Sequence, residues 1–198
     1  MVKINIVQNK INVLLLNDIL NSTNIKKLLN EEAIIVTNES SIKNFEVKKL
    51  IKKEYISKFD LTDIKDCLYE TLSKGQKMLI KILHFLDQKE LIVLNNVLLY
   101  LDPYTKEKLI KTLKKEEKTI LIITINPEDI MYSDNLVIYK DKELIYRKIN
   151  DTIKDEKLFK EIDSELPFMI QLSLKLSYYN LVDRAYTNMT RLVNKLWK

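Results

Sequence analysis

The chain has 198 residues, 46 % hydrophobic and 31 % charged, a balance that suits one folded core and excludes a disordered or collagen-like chain. Lysine and arginine exceed aspartate and glutamate by 33 to 28, a net charge of +5, but the lysines are scattered and read as a solvated surface rather than a nucleic-acid patch. A single cysteine, Cys67, and a single histidine, His84, exclude a disulfide frame and a Cys- or His-built zinc site.

A reducing compartment is expected from the cysteine usage. No signal-peptide pattern and no apolar run of about 18 residues are present, so no segment is expected to span a membrane. From the start of the chain, Val2, Ile4 and Ile6 alternate with polar residues and predict a short strand over 1–7. The apolar run through Ile11 and Leu16 reads as a buried strand of the parallel-sheet kind. A polar stretch, 17–24, leads into a helical pattern through Ile25, Leu28 and Leu29. Strand, polar loop and helix form the layout of a phosphate-binding loop, in which bare backbone N–H groups wrap phosphates and a lysine neutralises them. This loop contains neither glycine nor lysine. A strand is expected over 33–36. A lysine-rich helix is expected over 42–58, with apolar Phe45, Val47, Leu50, Ile51, Tyr55 and Ile56.

Near the middle stands Leu72-Ser73-Lys74-Gly75-Gln76, which contains the only glycine of the chain. Ordinary usage of about 7 % predicts on the order of a dozen glycines in this length. Glycine persists where the backbone adopts a strained angle or approaches something closely. A helix is expected from Ser73, burying Met78, Leu79, Ile82, Leu83 and Leu86, and Ser73 with Gln76 fits a Ser-x-x-Gln capping box that needs no ligand. Leu91–Leu94 reads as a core strand, followed by Asn95-Asn96 and, after a short gap, Leu101-Asp102. A helix over 105–115, a strand over 119–126, a helix from Pro127 and a hairpin pairing 135–139 with 143–146 complete the core. The tail predicts one helix starting at Pro167 and a second from Asn188 through Leu192, Val193, Leu196 and Trp197.

The spacing of these motifs resembles that of ABC-type ATPases. Leu72–Gln76 resembles the Leu-Ser-Gly-Gly-Gln signature, with Lys74 in place of the first glycine. Leu91–Asp102 matches the run of four apolar residues, Asp-Glu, and a later Leu-Asp. The resemblance puts Asn95 at the aspartate that organises magnesium and Asn96 at the glutamate that polarises the attacking water. It puts Ile125 at the switch histidine. In the phosphate-binding loop, Leu16, Ile19 and Asn21 take the glycine positions and Ser22 the lysine position. An amide keeps the shape of a carboxylate but cannot act as a general base and is a poor magnesium ligand.

The resemblance therefore implies an α/β fold: a P-loop NTPase-like ABC ATPase core with a reduced β-subdomain and a reduced helical subdomain, over 1–150. A helical C-terminal appendage follows over 151–198, resembling that of energy-coupling-factor ATPases. It implies a pseudo-ATPase, with no catalytic residue, no metal ligand and no cofactor of its own. Such a subunit pairs with an intact ABC-type ATPase and an integral membrane transport subunit, peripheral on the cytoplasmic face of the membrane. Ser73, Lys74, Gly75 and Gln76 would contact ATP bound, with magnesium, by the partner and with the D-loop Asp102 complete its site, and the C-terminal helices would supply a dimer contact. The alternative is a scaffold or regulatory protein that keeps the fold without touching nucleotide. A nucleic-acid-associated relative of ABC-type repair ATPases draws on the basic balance alone, and no nucleic-acid partner is expected.

Overall fold

A computed structural model describes residues 3–16, 22–30, 32–140, 143–147, 156–161 and 164–197. Six strands are present: β1 Ile11–Leu15, β2 Ile34–Val36, β3 Leu91–Asn95, β4 Thr119–Thr124, β5 Asn135–Lys140 and β6 Glu143–Arg147. They form one sheet in the order β2-β3-β4-β1-β5-β6. β2 and β3, and β3 and β4, pair in parallel, whereas β5 and β6 are antiparallel, with Ile138 opposite Ile145. Every residue of β1, β3 and β4 is buried, which explains why they are mostly apolar: a strand covered on both faces has no polar side to show. The chain divides into two compact units, 1–12 with 20–123, and 13–19 with 124–198.

In the first unit, the expected strand over 1–7 is not formed among its described residues. Its backbone partners lie elsewhere. Asn12, fully buried, accepts from the Val7 amide at 2.9 Å and donates to the Val7 and Lys10 carbonyls at 3.0 and 3.1 Å. A side chain thus satisfies groups that a neighbouring strand would otherwise hold. Ile4 is still buried, and its amide bonds the Leu28 carbonyl at 2.8 Å in helix α1, Ser22–Leu28.

The single helix expected over 42–58 is two short ones, α2 Val47–Leu50 and α3 Lys53–Lys58. Ile51 between them is extended, at φ −131° and ψ 160°. Tertiary bonds decide this break. The Val47 and Lys48 amides bond the Cys67 and Lys65 carbonyls at 3.1 and 2.9 Å, and His84 Nδ1 donates to the Leu50 carbonyl over 2.7 Å. The lone histidine is a satisfied packing residue, set edge-on against Phe85.

Helix α4, Lys74–Phe85, buries Met78 through Leu83, and all five apolar positions expected on its inner face are buried. A 3-10 turn, Leu98–Tyr100, and helix α5, Pro103–Lys115, follow β3.

In the second unit, a 3-10 turn over Pro127–Tyr132 follows β4, and the β5–β6 pair is the expected hairpin; its turn, 141–142, lies outside the described residues. Among the described residues three helices follow: α6 Glu156–Glu161, α7 Phe168–Tyr178 and α8 Met189–Leu196. The sequence did not signal α6. Pro167 stands at the start of α7 and Asn188 caps α8, accepting from the Arg191 amide at 3.2 Å. Val182, Tyr186 and Leu192 form a small core with Met169, Leu172 and Leu176 against it. Ser173 fastens the chain there, receiving the Tyr186 amide at 2.9 Å. Among the described residues, no helix is long and apolar enough to cross a membrane.

Candidate functional site: the signature helix and its neighbours

The capping box is formed in both directions. Ser73 Oγ accepts from the Gln76 amide at 3.3 Å, and Gln76 Oε1 accepts from the Ser73 amide at 3.0 Å. Each side chain satisfies a backbone donor that the first helical turn leaves unpaired. Accepting the cap bond uses one lone pair of the Ser73 hydroxyl and leaves its O–H to donate. Ser73 is exposed, so the first turn of α4 presents a hydroxyl donor and the positive end of the helix dipole.

Gly75 does not have a left-handed backbone. Its reason is close approach: a Cβ at this position would meet the Tyr100 carbonyl oxygen at 3.1 Å. The first turn of α4 therefore lies directly on the 3-10 turn that leads into Asp102. Lys74 crosses the same contact, with its ammonium 4.3 Å from the centre of the Tyr100 ring, a cation–π arrangement. Asp102 caps α5, accepting from the Thr105 amide at 3.0 Å. Bonds from Thr105 hold its carboxyl below the usual carboxylate value. Signature and D-loop positions are thus adjoining parts of one packed feature.

Asn95 and Asn96 end β3. Asn95 is buried and Asn96 half-buried, and the Asn96 amide side chain donates to Asn95 Oδ1 at 3.3 Å. Asn96 has φ 53°, the left-handed region that asparagine adopts more readily than most residues. Its backbone N–H bonds the Ile123 carbonyl at 2.8 Å.

Ile125 follows β4 in the second unit and is 40 % exposed, so an apolar side chain faces solvent there. The flanking residues have structural duties. Thr124 donates to buried Asp129 at 2.7 Å, and Asn126 accepts from the Glu128 amide at 3.1 Å, which fixes the turn after the strand. Of the phosphate-loop positions, Ile19, Leu20 and Asn21 lie outside the described residues. Leu16 is buried, and Ser22 opens α1. A feature that periodicity did not reveal is Lys81, on the inner face of α4, 5 % exposed. A lysine inside an apolar pattern was the available signal.

No family model matches the sequence. The chain is 27 % identical over 187 residues to the energy-coupling factor transporter ATP-binding protein EcfA1 of Fusobacterium nucleatum, covering 92 % of this chain and 66 % of that protein. It is 26 % identical over 148 residues to the corresponding EcfA of Malacoplasma penetrans, covering 70 % and 52 %. Its homologues are energy-coupling factor ATP-binding proteins. The chain spans between about half and two-thirds of the length of these relatives.

Solved structures agree on the fold. CbiO1 from Clostridium perfringens, part of the ABC transporter complex cbiONQ, superposes with a TM-score of 0.54 at 20 % identity, over 85 % of this chain and 89 % of that one. An ATP-binding cassette of an ABC transporter in its ADP conformation superposes at 0.61 and 14 % identity, over 81 % and 90 %. The architecture is that of an ABC ATPase cassette.

Proposed function

We propose that this cassette is a non-catalytic ABC-type subunit of a membrane transport complex of the energy-coupling-factor kind. It pairs with an intact ATPase and an integral membrane subunit and sits peripherally on the cytoplasmic face of the membrane. The observation that carries the reading is a fully formed signature helix in a chain whose two carboxylate positions are Asn95 and Asn96. Without a carboxylate at either place, no group there can take a proton from water, and magnesium loses its anionic ligands. The absence of a lysine at Ser22 and of a histidine at Ile125 removes the other phosphate contacts.

What remains is an exposed serine hydroxyl at a helix N-terminus, packed through Gly75 onto the turn before Asp102. Such a feature suits an anion held by another subunit. Ser73–Gln76 and Asp102 complete the partner's ATP site, and the partner supplies ATP and magnesium. Similarity at 26–28 % identity to energy-coupling factor transporter ATP-binding proteins supports this assignment.

The test is Ser73→Arg in the purified complex. Hydrolysis is expected to fall at least tenfold, in line with the loss of a donor to a developing phosphate charge, while subunit stoichiometry stays unchanged. Turnover equal to that of the parent complex overturns the reading.

A second reading, a scaffold that never touches nucleotide, is favoured by Lys74, whose side chain lies across Tyr100 where the family pattern has a bare glycine. It predicts that ATP leaves the affinity of this subunit for its partners unchanged; a shift in affinity with ATP rejects it.

A further inference from the structure

A cleft of about 270 Å³ lies beside α4, lined by Lys74, Lys77 and Lys81 on the helix and by Asn38, Ser40 and Ser41 on the loop after β2. The lysines are spaced three and four residues apart, which puts them on one helix face. Their surroundings differ. Lys77 is paired with Glu70 at 3.2 Å. Lys74 rests on Tyr100.

Lys81 is the unusual one. Its ammonium donates to the carbonyls of Thr37 and Asn38, at 3.3 and 2.8 Å, and to no carboxylate. An ammonium has three donors, so it can give one more bond beside these two. Buried charges are ordinarily paired. Here the residue is 5 % exposed and no carboxylate bonds its ammonium; Glu70 acts on it through space only. Two carboxylates also line the cleft, Glu39 and Glu70. Glu70 is taken by Lys77, and Glu39 is exposed on the rim. The cleft thus keeps an excess of positive charge centred on Lys81.

The loop facing Lys81 is already shaped. Ser40 Oγ accepts from the Thr37 amide at 2.9 Å and donates to the Ile35 carbonyl at 3.2 Å. Preorganisation of this kind lowers the cost of binding, because no loop has to be ordered.

From this buried lysine, bonded only to carbonyls in a lysine-rich cleft, we infer that the cleft is a binding site for a small phosphate-type oxyanion, with Lys81 as its charged floor and Lys74 and Lys77 on its rim. The inference does not depend on the transport reading, since it concerns the isolated chain. The bound oxyanion accepts a third Lys81 hydrogen bond and gives the ammonium a directly bonded anion.

The test uses the full chain and inorganic phosphate and pyrophosphate, followed by titration calorimetry and by thermal unfolding. Saturable one-to-one binding is expected, with a melting temperature that climbs as ligand is added. Lys81→Met should weaken binding by about tenfold or more, the usual range for a charge-assisted hydrogen bond, and Lys111→Gln on α5 should leave it unchanged. If Lys81→Met fails to fold, the exposed double variant Lys74→Gln/Lys77→Gln decides, with a loss of several-fold expected. ATP as competitor separates the two sources of this chemistry: displacement of phosphate assigns a nucleotide phosphate, and its absence a free one. No saturable binding, or equal binding by parent and Lys81→Met, overturns the inference. So does a double variant as tight as the parent.

Discussion

Two residues show how a position can look like lost chemistry and still have a physical duty. The resemblance puts Asn96 at a glutamate position, and its φ of 53° is one that a β-branched residue takes only at a cost of about 1–2 kcal/mol. Asn96→Val should therefore lower the unfolding free energy by that amount, measured by urea denaturation. Asn96→Gly should stay within about 0.5 kcal/mol of the parent, since glycine adopts the same angle freely. Equal stability of the two variants would show that the backbone is free to leave this conformation. Gly75 illustrates the complementary case. Its backbone angle is ordinary, and what a side chain would crowd is the Tyr100 carbonyl, 3.1 Å from where a Cβ would stand. Glycine survived here because two backbones touch.

At the scale of elements, caps account for how the site helices begin. Ser73 and Gln76 close α4, and Asp102 closes α5. Asp102→Ala should cost about 1 kcal/mol, the usual loss of a good N-cap. The Asp102 carboxyl also makes part of this stability pH-dependent. Bonds from Thr105 hold its folded-state pKa below the ordinary 3.8. Its contribution is complete above that ordinary value and is lost as pH falls through the lowered one, because the unfolded chain takes up the proton first. Asp102→Asn keeps an acceptor without a titrating group. Urea unfolding from neutral pH down to about pH 2 should show a shallower acid decline in this variant than in the parent. Identical slopes would mean that the carboxylate makes no net contribution.

The break between α2 and α3 belongs to this scale too. Apolar spacing over 42–58 is helical, but the periodicity says nothing of the Cys67 and Lys65 carbonyls that capture the first α2 amides. Those residues are distant in sequence. Propensity is a weak prior that long-range bonds override.

For the whole molecule, the C-terminal unit leaves a face uncovered. Leu192 is buried in the local core, whereas Met189, Val193 and Leu196 of α8, with Trp197 just after it, are 39–85 % exposed. Their spacing places them on one side of the helix. The sequence reading of the tail helices as a dimer contact is tested on this stripe. Val193→Asp together with Leu196→Asp should weaken that association at least tenfold in analytical ultracentrifugation, since charge at a buried interface is strongly unfavourable. The variant chain should keep the parent's melting temperature, because neither side chain belongs to the Leu192 core. Undiminished association would assign the stripe no interface role.

Apart from the strand expected over 1–7, the sequence by itself determined the strands and the inner face of α4, because apolar runs and apolar spacing are direct consequences of burial on a sheet or helix. It also carried the spacing of Leu72–Gln76, Asn95-Asn96 and Asp102 on which the resemblance rests, since these are local strings. Only the tertiary structure decided which atoms satisfy the others. The segment over 3–7 lost its strand to the Asn12 side chain, Gly75 acquired its reason from Tyr100, and Lys81 became a buried cation facing the loop after β2. The physical reason is common to all three: a backbone donor, a close approach or a buried charge is resolved by whatever residue lies nearest in space. That neighbour can be any distance away along the chain.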